Sequence, residues 1–134
     1  MSDNVKQAVP FFMVENLAQS VSFYVDGLGF RKTKEWTPEG QLRWCWLQIG
    51  EAAIMLQDYL PGQTPNATRG LGVTISFQCG DALAIYHAAM ANGLAPHRPF
   101  VGNGMWVVAI NDPDGYRVEF QSPTDVPEGT EFAD

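Results

Sequence analysis

The stretch Asn111-Asp112-Pro113-Asp114-Gly115-Tyr116-Arg117-Val118-Glu119-Phe120 decides how this chain is organised. Its first half has the composition of a turn, because proline fixes φ and glycine accepts positive φ. From Tyr116 onward the residues alternate in character, which predicts a half-buried strand. Alternation places Arg117, Glu119 and Gln121 on one face of that strand. A carboxylate in mid-strand is either solvated on an open face or held inside a cleft for a purpose.

The composition predicts one packed domain over residues 1–134. Hydrophobic residues make up 46% of the chain and charged residues 17%, which is enough apolar material for a core and carries no signature of disorder. The net charge of −7 argues against a nucleic-acid partner and suits a neutral or cationic small molecule better. We expect a cytoplasmic protein with no membrane partner, because no apolar run approaches the ~20 residues of a membrane span. Cys45 and Cys79 are expected to be buried free thiols, as in a reducing compartment.

The order of predicted elements repeats within the chain. Each half has the pattern strand-helix-strand-strand-strand, over about 8–57 and 72–122, and a connector at 58–71 rich in proline and glycine joins the halves. Asn16 and Asp81 are the predicted N-caps of the two helices. A repeated unit that cannot bury its own sheet face should pair with its copy. The predicted fold is therefore α+β, with two βαβββ modules forming a curved mixed sheet of eight strands, helices outside and an inner groove.

Two further expectations concern the second half. Residues 94–100 are predicted to form a weak strand, and residues 123–134, with four acids and no base, to form a solvated and partly mobile tail. Several large apolar residues are most simply assigned to the core: Phe11, Phe23, Tyr24, Tyr86 and Met90.

Four short motifs carry a resemblance to a known family. They are Val14-Glu15-Asn16-Leu17, Ser20-Val21-Ser22-Phe23-Tyr24, Leu28-Gly29-Phe30 and the stretch from Asp112 to Glu119. Together they resemble the vicinal oxygen chelate superfamily, which includes glyoxalase I, extradiol dioxygenases, fosfomycin resistance enzymes and bleomycin resistance proteins. The likeness covers roughly residues 8–122 and implies a homodimer.

The metal ligands of that superfamily are missing at most of the positions where the resemblance would place them. Metal-using members carry His or Gln in the first strand of each half, and His or Glu in its last strand. The matching positions here are Val9, Val73, Met55 and Glu119, and only Glu119 is a ligand type. A catalytic divalent ion needs about three protein ligands. The resemblance thus implies the metal-free branch, without a cofactor, typified by bleomycin resistance proteins, whose dimer grooves trap a cationic aromatic drug without chemistry.

Tryptophan is abundant for a chain of this size, at positions 36, 44, 46 and 106. Aromatic faces stack flat ligands and attract cations. Strand alternation puts Trp44 and Trp46 on one face, so both line a groove or both belong to the core. The side chain of Met55 is expected to form part of the apolar wall of the groove and to occupy the space where a metal ion would lie. The predicted ligand-binding residues are Trp44, Trp46, Met55, Trp106 and Glu119.

Three functions remain open at this point. The first is a binding protein that sequesters an aromatic or cationic compound. The second is a lyase, isomerase or dioxygenase resembling glyoxalase, with Glu119 as general base or as the remnant of a metal site. The third is a degenerate member whose side chains fill the groove. Glu119 itself either faces a ligand or is a structural carboxylate satisfied by Arg117 or by backbone donors.

Overall fold

The computed structural model describes residues 4–134. Two modules follow each other along the chain, and each contains four strands and one helix. The first module comprises β1 (Phe11–Val14), α1 (Leu17–Ser22, continuing into a wider turn at Phe23–Gly27), β2 (Arg31–Trp36), β3 (Trp44–Ile49) and β4 (Ala52–Asp58). The second comprises β5 (Thr74–Gln78), α2 (Ala82–Ala91), β6 (Phe100–Gly102), β7 (Met105–Asn111) and β8 (Arg117–Pro123).

The eight strands form two four-stranded mixed sheets. The first sheet has the order β1-β4-β3-β2 and the second the order β5-β8-β7-β6. In each sheet the first strand of the module runs parallel to the last, and the other pairs are antiparallel. The predicted α+β class and the two βαβββ modules are confirmed. Within one chain the sheets are separate, so β1 and β5 each keep one unpaired edge.

The two helices begin where the sequence predicts. The side chain of Asn16 accepts a hydrogen bond from the backbone N–H of Gln19 at 3.0 Å, and Asp81 accepts one from Ala84 at 3.1 Å. These bonds satisfy amide groups that the first helical turn leaves without a partner. Neither helix in the described part of the chain is long and apolar enough to span a bilayer.

One hydrophobic core contains residues from both modules. The ring of Phe77 lies 5.7 Å from that of Phe30 and 5.2 Å from that of Phe120, centroid to centroid, so the aromatic packing crosses from the first module to the second. Leu47, Ile54 and Val118 are fully buried in the same core. Each sheet thus has an inner face, which packs into this core, and an outer face, which points away from it.

The turn at Asp112 fastens the two modules together. Its Oδ1 accepts hydrogen bonds from the backbone N–H groups of Asp114 and Tyr116, both at 2.9 Å. Its Oδ2 accepts the phenol O–H of Tyr24 at 2.8 Å, from the helical segment of the first module. Burial raises the pKa of the Asp112 carboxyl, and the hydrogen bonds from Tyr24 and the backbone oppose that shift.

Asp114 adds a second link at the same turn. Its Oδ2 accepts the backbone N–H of Glu15 at 2.9 Å and lies 3.7 Å from Nε of Arg69 in the connector. The Asp114 side chain is only 3% exposed, so the charge of Arg69 faces a carboxylate that is largely shielded from water. The stretch that organises the sequence therefore holds the first module, the connector and the second module in contact.

Three predictions about local structure are wrong. The sixth strand begins at Phe100 rather than Leu94, because Pro96 and Pro99 cannot donate ladder hydrogen bonds. The C-terminal segment is largely exposed, as predicted, and it also forms backbone hydrogen bonds at β6, from the N–H of Val101 to the carbonyl of Thr130, and next to β6, from the N–H of Phe132 to the carbonyl of Pro99. Phe11 is 48% exposed and Met90 50% exposed, so neither belongs to the core.

The two thiols differ in burial, and we expect them to differ in reactivity. Cys45 is fully buried, and burial raises its pKa to about 11, whereas Cys79 is half-buried with a raised pKa. Since the thiolate is the nucleophile, roughly a thousandth of Cys45 is reactive at pH 8 even before access is considered. Ellman's reagent should label Cys79 slowly in the native protein and Cys45 only after denaturation. A Cys79→Ser variant that still reacts while folded would contradict this.

Candidate functional site

The outer face of the first sheet carries a row of side chains that crosses all four strands. Phe11 on β1 is paired with Met55 on β4, Met55 with Trp46 on β3, and Trp46 with Lys34 on β2. Directly opposed residues on neighbouring strands point to the same face. The row therefore forms a continuous strip of two rings, one thioether and one ammonium group.

A second row runs beside the first. Met13 is paired with Gln57, Gln57 with Trp44, and Trp44 with Trp36. Trp36 is 56% exposed. The structure thus places Trp44 and Trp46 on one face, as alternation predicts, and puts that face outside the core. We call this surface the aromatic face; it consists of Phe11, Met13, Lys34, Trp36, Trp44, Trp46, Met55 and Gln57.

A bulge in β2 brings two basic side chains to the edge of the aromatic face. The register between β2 and β3 shifts between Lys32 and Lys34, so Arg31 and Lys34 share a face although they are three residues apart. Nζ of Lys34 lies 4.6 Å from the centroid of the Trp46 ring, within the range of a cation–π contact. The indole N–H of Trp46 donates to Gln48 at 2.8 Å, which fixes the orientation of the ring.

Glu119 lies on the outer face of the second sheet. Its Oε1 accepts a hydrogen bond from Nε2 of Gln121 at 2.6 Å, and its Oε2 lies 3.4 Å from Nη2 of Arg117. The side chain is 16% exposed. Gln78 donates to Gln121 at 3.3 Å and extends the polar network across β5. Glu119 is therefore both directed away from the core and bonded to Arg117.

Trp106 lies on the other side of the second sheet from Glu119. It is paired with Ser122, whose hydroxyl accepts the backbone N–H of Ala82 at the start of α2. Its ring packs edge-on against Phe132 of the C-terminal segment, 6.0 Å between centroids. The five predicted residues therefore do not share one surface: Trp44, Trp46 and Met55 lie together, while Glu119 and Trp106 lie apart from them and from each other.

Among the four side chains that the strand register places at the expected ligand positions, Glu119 is the single carboxylate. The strand register places Ser76 beside Glu119 and Phe11 beside Met55, so these residues, rather than Val73 and Val9, are the first-strand neighbours. Phe11 has no donor atom, and hard divalent cations prefer carboxylate, carbonyl and imidazole ligands to a thioether. Among residues 4–134 no three His, Cys, Asp or Glu side chains are close enough to hold a metal together.

Sequence reasoning missed an apolar cavity between the modules. It has a volume of about 500 Å³ and lies between the β3–β4 turn and the beginning of the second module. None of the five predicted residues lines it. No sequence pattern could have revealed it, because its walls come from segments that are distant in the chain. The lining side chains include Ile49, Ala52, Phe77, Cys79, Ile85 and Phe120.

Comparisons with solved structures agree on the fold. A bleomycin-binding protein complexed with bleomycin has 21% identity and a TM-score of 0.69, over 88% of this chain and 98% of that chain. A bleomycin resistance determinant encoded on the transposon Tn5 has 21% identity and a TM-score of 0.70, over 91% and 100%. TnmS3, an antibiotic binding protein from Streptomyces sp. CB03234, has 21% identity and a TM-score of 0.66, over 89% and 98%. At these identities the likeness establishes the fold alone.

The family itself follows from the sequence match. No curated protein matches the chain. The model of the Glyoxalase/Bleomycin resistance protein/Dioxygenase superfamily matches residues 6–120, which is most of the chain and includes both modules. The resemblance found in the motifs is confirmed, and the chain belongs to the Glyoxalase/Bleomycin resistance protein/Dioxygenase superfamily.

Proposed function

We propose that this protein binds a small aromatic compound on the aromatic face without a metal ion and without catalysing a reaction. The observation that carries the proposal is the exposure of this face: Trp36 and Phe11 are about half exposed, and Trp44 and Trp46 are only half-buried. Contiguous exposed apolar surface of this kind marks binding sites in soluble proteins. The indole rings provide flat surfaces on which a planar ligand can stack.

A homodimer would turn this open face into a groove. The unpaired edges of β1 and β5 are templates for pairing with another chain. Exposed apolar side chains flank one of them, with Leu71 80% exposed and Val73 54% exposed just before β5. We propose that the second sheet of one copy faces the aromatic face of the other, so that Glu119 of one copy and Trp46 of the other border the same groove.

The structure supports an aromatic ligand better than it supports a cationic one. Four rings support the aromatic part, whereas Glu119 alone supports the cationic part. The solved relatives include proteins described as bleomycin-binding and antibiotic-binding, which supports a small-molecule ligand here as well. A lyase, isomerase or dioxygenase gains no support from the site, because Gln121 and Arg117 already contact both oxygens of Glu119.

Isothermal titration with aromatic compounds of different charge tests the proposal. Bleomycin, the cationic acridine proflavine and the anionic anthraquinone-2-sulfonate cover the range. We expect saturable binding of at least one compound, with one molecule per chain, and a dimer in sedimentation analysis. A folded protein that gives no binding heat with any of the three would overturn the binding function, and a monomer that binds normally would overturn the shared groove.

A variant of the inter-module cavity serves as the control for location. Ile85→Trp should fill the cavity of about 500 Å³ and leave the aromatic face untouched. Unchanged affinity in this variant supports the aromatic face as the site. A loss of binding would instead place the ligand between the modules.

A further inference from the structure

All ionised side chains on the outer face of the first sheet are basic, although the chain carries a net charge of −7. The aromatic face and the row that adjoins it, in which Ala53 pairs with Gln48 and Gln48 with Arg31, include Arg31 and Lys34 and no Asp or Glu. Lys32 and Glu35 lie on the opposite face of β2, because the bulge separates them from Lys34 in the alternation. The local charge of this surface is therefore opposite in sign to that of the whole molecule.

Lys34 forms no ion pair with a carboxylate in the described part of the chain, unlike Lys32 and Arg43. Lys32 is 2.7 Å from Glu35, and Arg43 is 2.9 Å from Asp58. Within residues 4–134, no Asp or Glu oxygen lies within 4.0 Å of the Lys34 ammonium. Its close contact is instead the face of the Trp46 ring. The ammonium group thus stands beside a stacking surface with its charge uncompensated by any described carboxylate.

We infer that the ligand of the aromatic face is a planar aromatic anion, with its ring against the tryptophans and its carboxylate or sulfonate beside Lys34. This inference rests on the proposed function. An anionic group gains a charge-assisted hydrogen bond from an ammonium group that has hydrogens to spare. A cationic ligand would meet a cation already in place over the ring of Trp46 and would be repelled by it.

The second sheet does not reverse this preference. Its carboxylate at Glu119 lies beside the guanidinium of Arg117, so the pair is locally neutral. If a second copy brings this sheet against the aromatic face, it adds a balanced pair of charges. The uncompensated charge beside the Trp46 ring remains that of Lys34.

Three probes that share one ring system isolate the effect of charge. They are 2-naphthoate, 2-naphthalenemethanol and 2-naphthylmethylamine, which are anionic, neutral and cationic at pH 7. Calorimetric titration of the full-length protein should give the tightest binding for the acid, at least tenfold tighter than for the amine, or about 1.4 kcal/mol. The preference should shrink as salt is raised, because the groups are accessible to solvent.

Substitutions on β2 provide a matched pair. Lys34→Gln should bring the affinity for the acid to that for the alcohol, and Lys34→Glu should favour the amine. Lys32→Gln makes the same change in charge on the same strand but on the opposite face, and should keep the preference of the wild type.

The outcomes separate this inference from the proposed function. Equal affinity for the three probes, or tighter binding of the amine, overturns the anionic ligand; if Trp46→Ala then weakens all three, the aromatic binding site itself stands. A preference for the acid that survives Lys34→Gln also overturns the assignment to Lys34. If the folded wild type binds none of the three at millimolar concentration, both proposals are wrong.

Discussion

The substitution Asp112→Ala is expected to lower the free energy of unfolding by roughly 3–5 kcal/mol. The Asp112 carboxylate accepts three hydrogen bonds, from the N–H groups of Asp114 and Tyr116 and the phenol of Tyr24. Its side chain and that of Tyr24 are buried, so water cannot replace all of these bonds. Each buried group left without a partner costs about 1–3 kcal/mol. Urea denaturation followed by circular dichroism would measure the change.

Two further variants show whether the hydrogen bonds are the cause. Asp112→Asn retains an oxygen that can accept both backbone N–H groups, and its amide can donate to the Tyr24 oxygen, so it should recover most of the lost stability. Asp125→Ala removes an exposed carboxylate and should change stability by less than about 0.5 kcal/mol. An Asp112→Ala protein as stable as Asp125→Ala would show that the turn does not fasten the modules.

The substitution Trp46→Ala is expected to weaken the binding of a planar aromatic ligand about 30-fold. Trp46 occupies the middle of the row from Phe11 to Lys34, and its ring is held by a hydrogen bond to Gln48. Truncating a central tryptophan in a binding site typically costs roughly 2 kcal/mol or more, which corresponds to that factor in the dissociation constant. Calorimetry with the compound bound by the wild type gives the measurement.

Trp106→Phe is the matched control for this experiment. It alters a tryptophan of the same chain, but one that faces α2 and the C-terminal segment rather than the aromatic face. Its affinity should stay within a factor of about two of the wild type. If Trp106→Phe weakens binding more than Trp46→Ala does, the ligand is not bound on the aromatic face.

Regular alternation made part of the fold and of the site predictable. In β8 the buried Val118 and Phe120 alternate with the half-buried Arg117, Glu119 and Gln121, as the sequence indicates. The same argument placed Trp44 and Trp46 on one side of β3. The helix caps were predictable because their chemistry lies within four consecutive residues.

The orientation of Phe11 and Trp106 could not be predicted, because both residues lie in continuous apolar runs. In β7, Val107, Val108, Ala109 and Ile110 are all buried, so the strand shows no alternation and the side taken by Trp106 cannot be inferred. The Phe11-Phe12-Met13-Val14 run is equally uninformative about Phe11. Such strands are oriented by what packs against each face, which is a property of the tertiary structure.

The bulge in β2 breaks the simple alternation of faces along that strand. Strict period-two alternation would group Lys32, Lys34 and Trp36 on one side of the strand. The shifted register groups Arg31 with Lys34 and Trp36 and sends Lys32 to the other face. One extra residue thus decides which basic groups border the tryptophans, and its presence is not encoded by a glycine or proline in this strand.

The four tryptophans form two groups, and the fluorescence of each group should respond to a different event. Trp36, Trp44 and Trp46 share the aromatic face, whereas Trp106 lies against Phe132 of the segment that closes the C-terminus. A compound that stacks on the sheet should quench the first group and leave the fourth indole unchanged. Detachment of the terminal segment should do the reverse. In a Trp106→Phe protein the tryptophan fluorescence would come from the aromatic face alone and would report its occupancy.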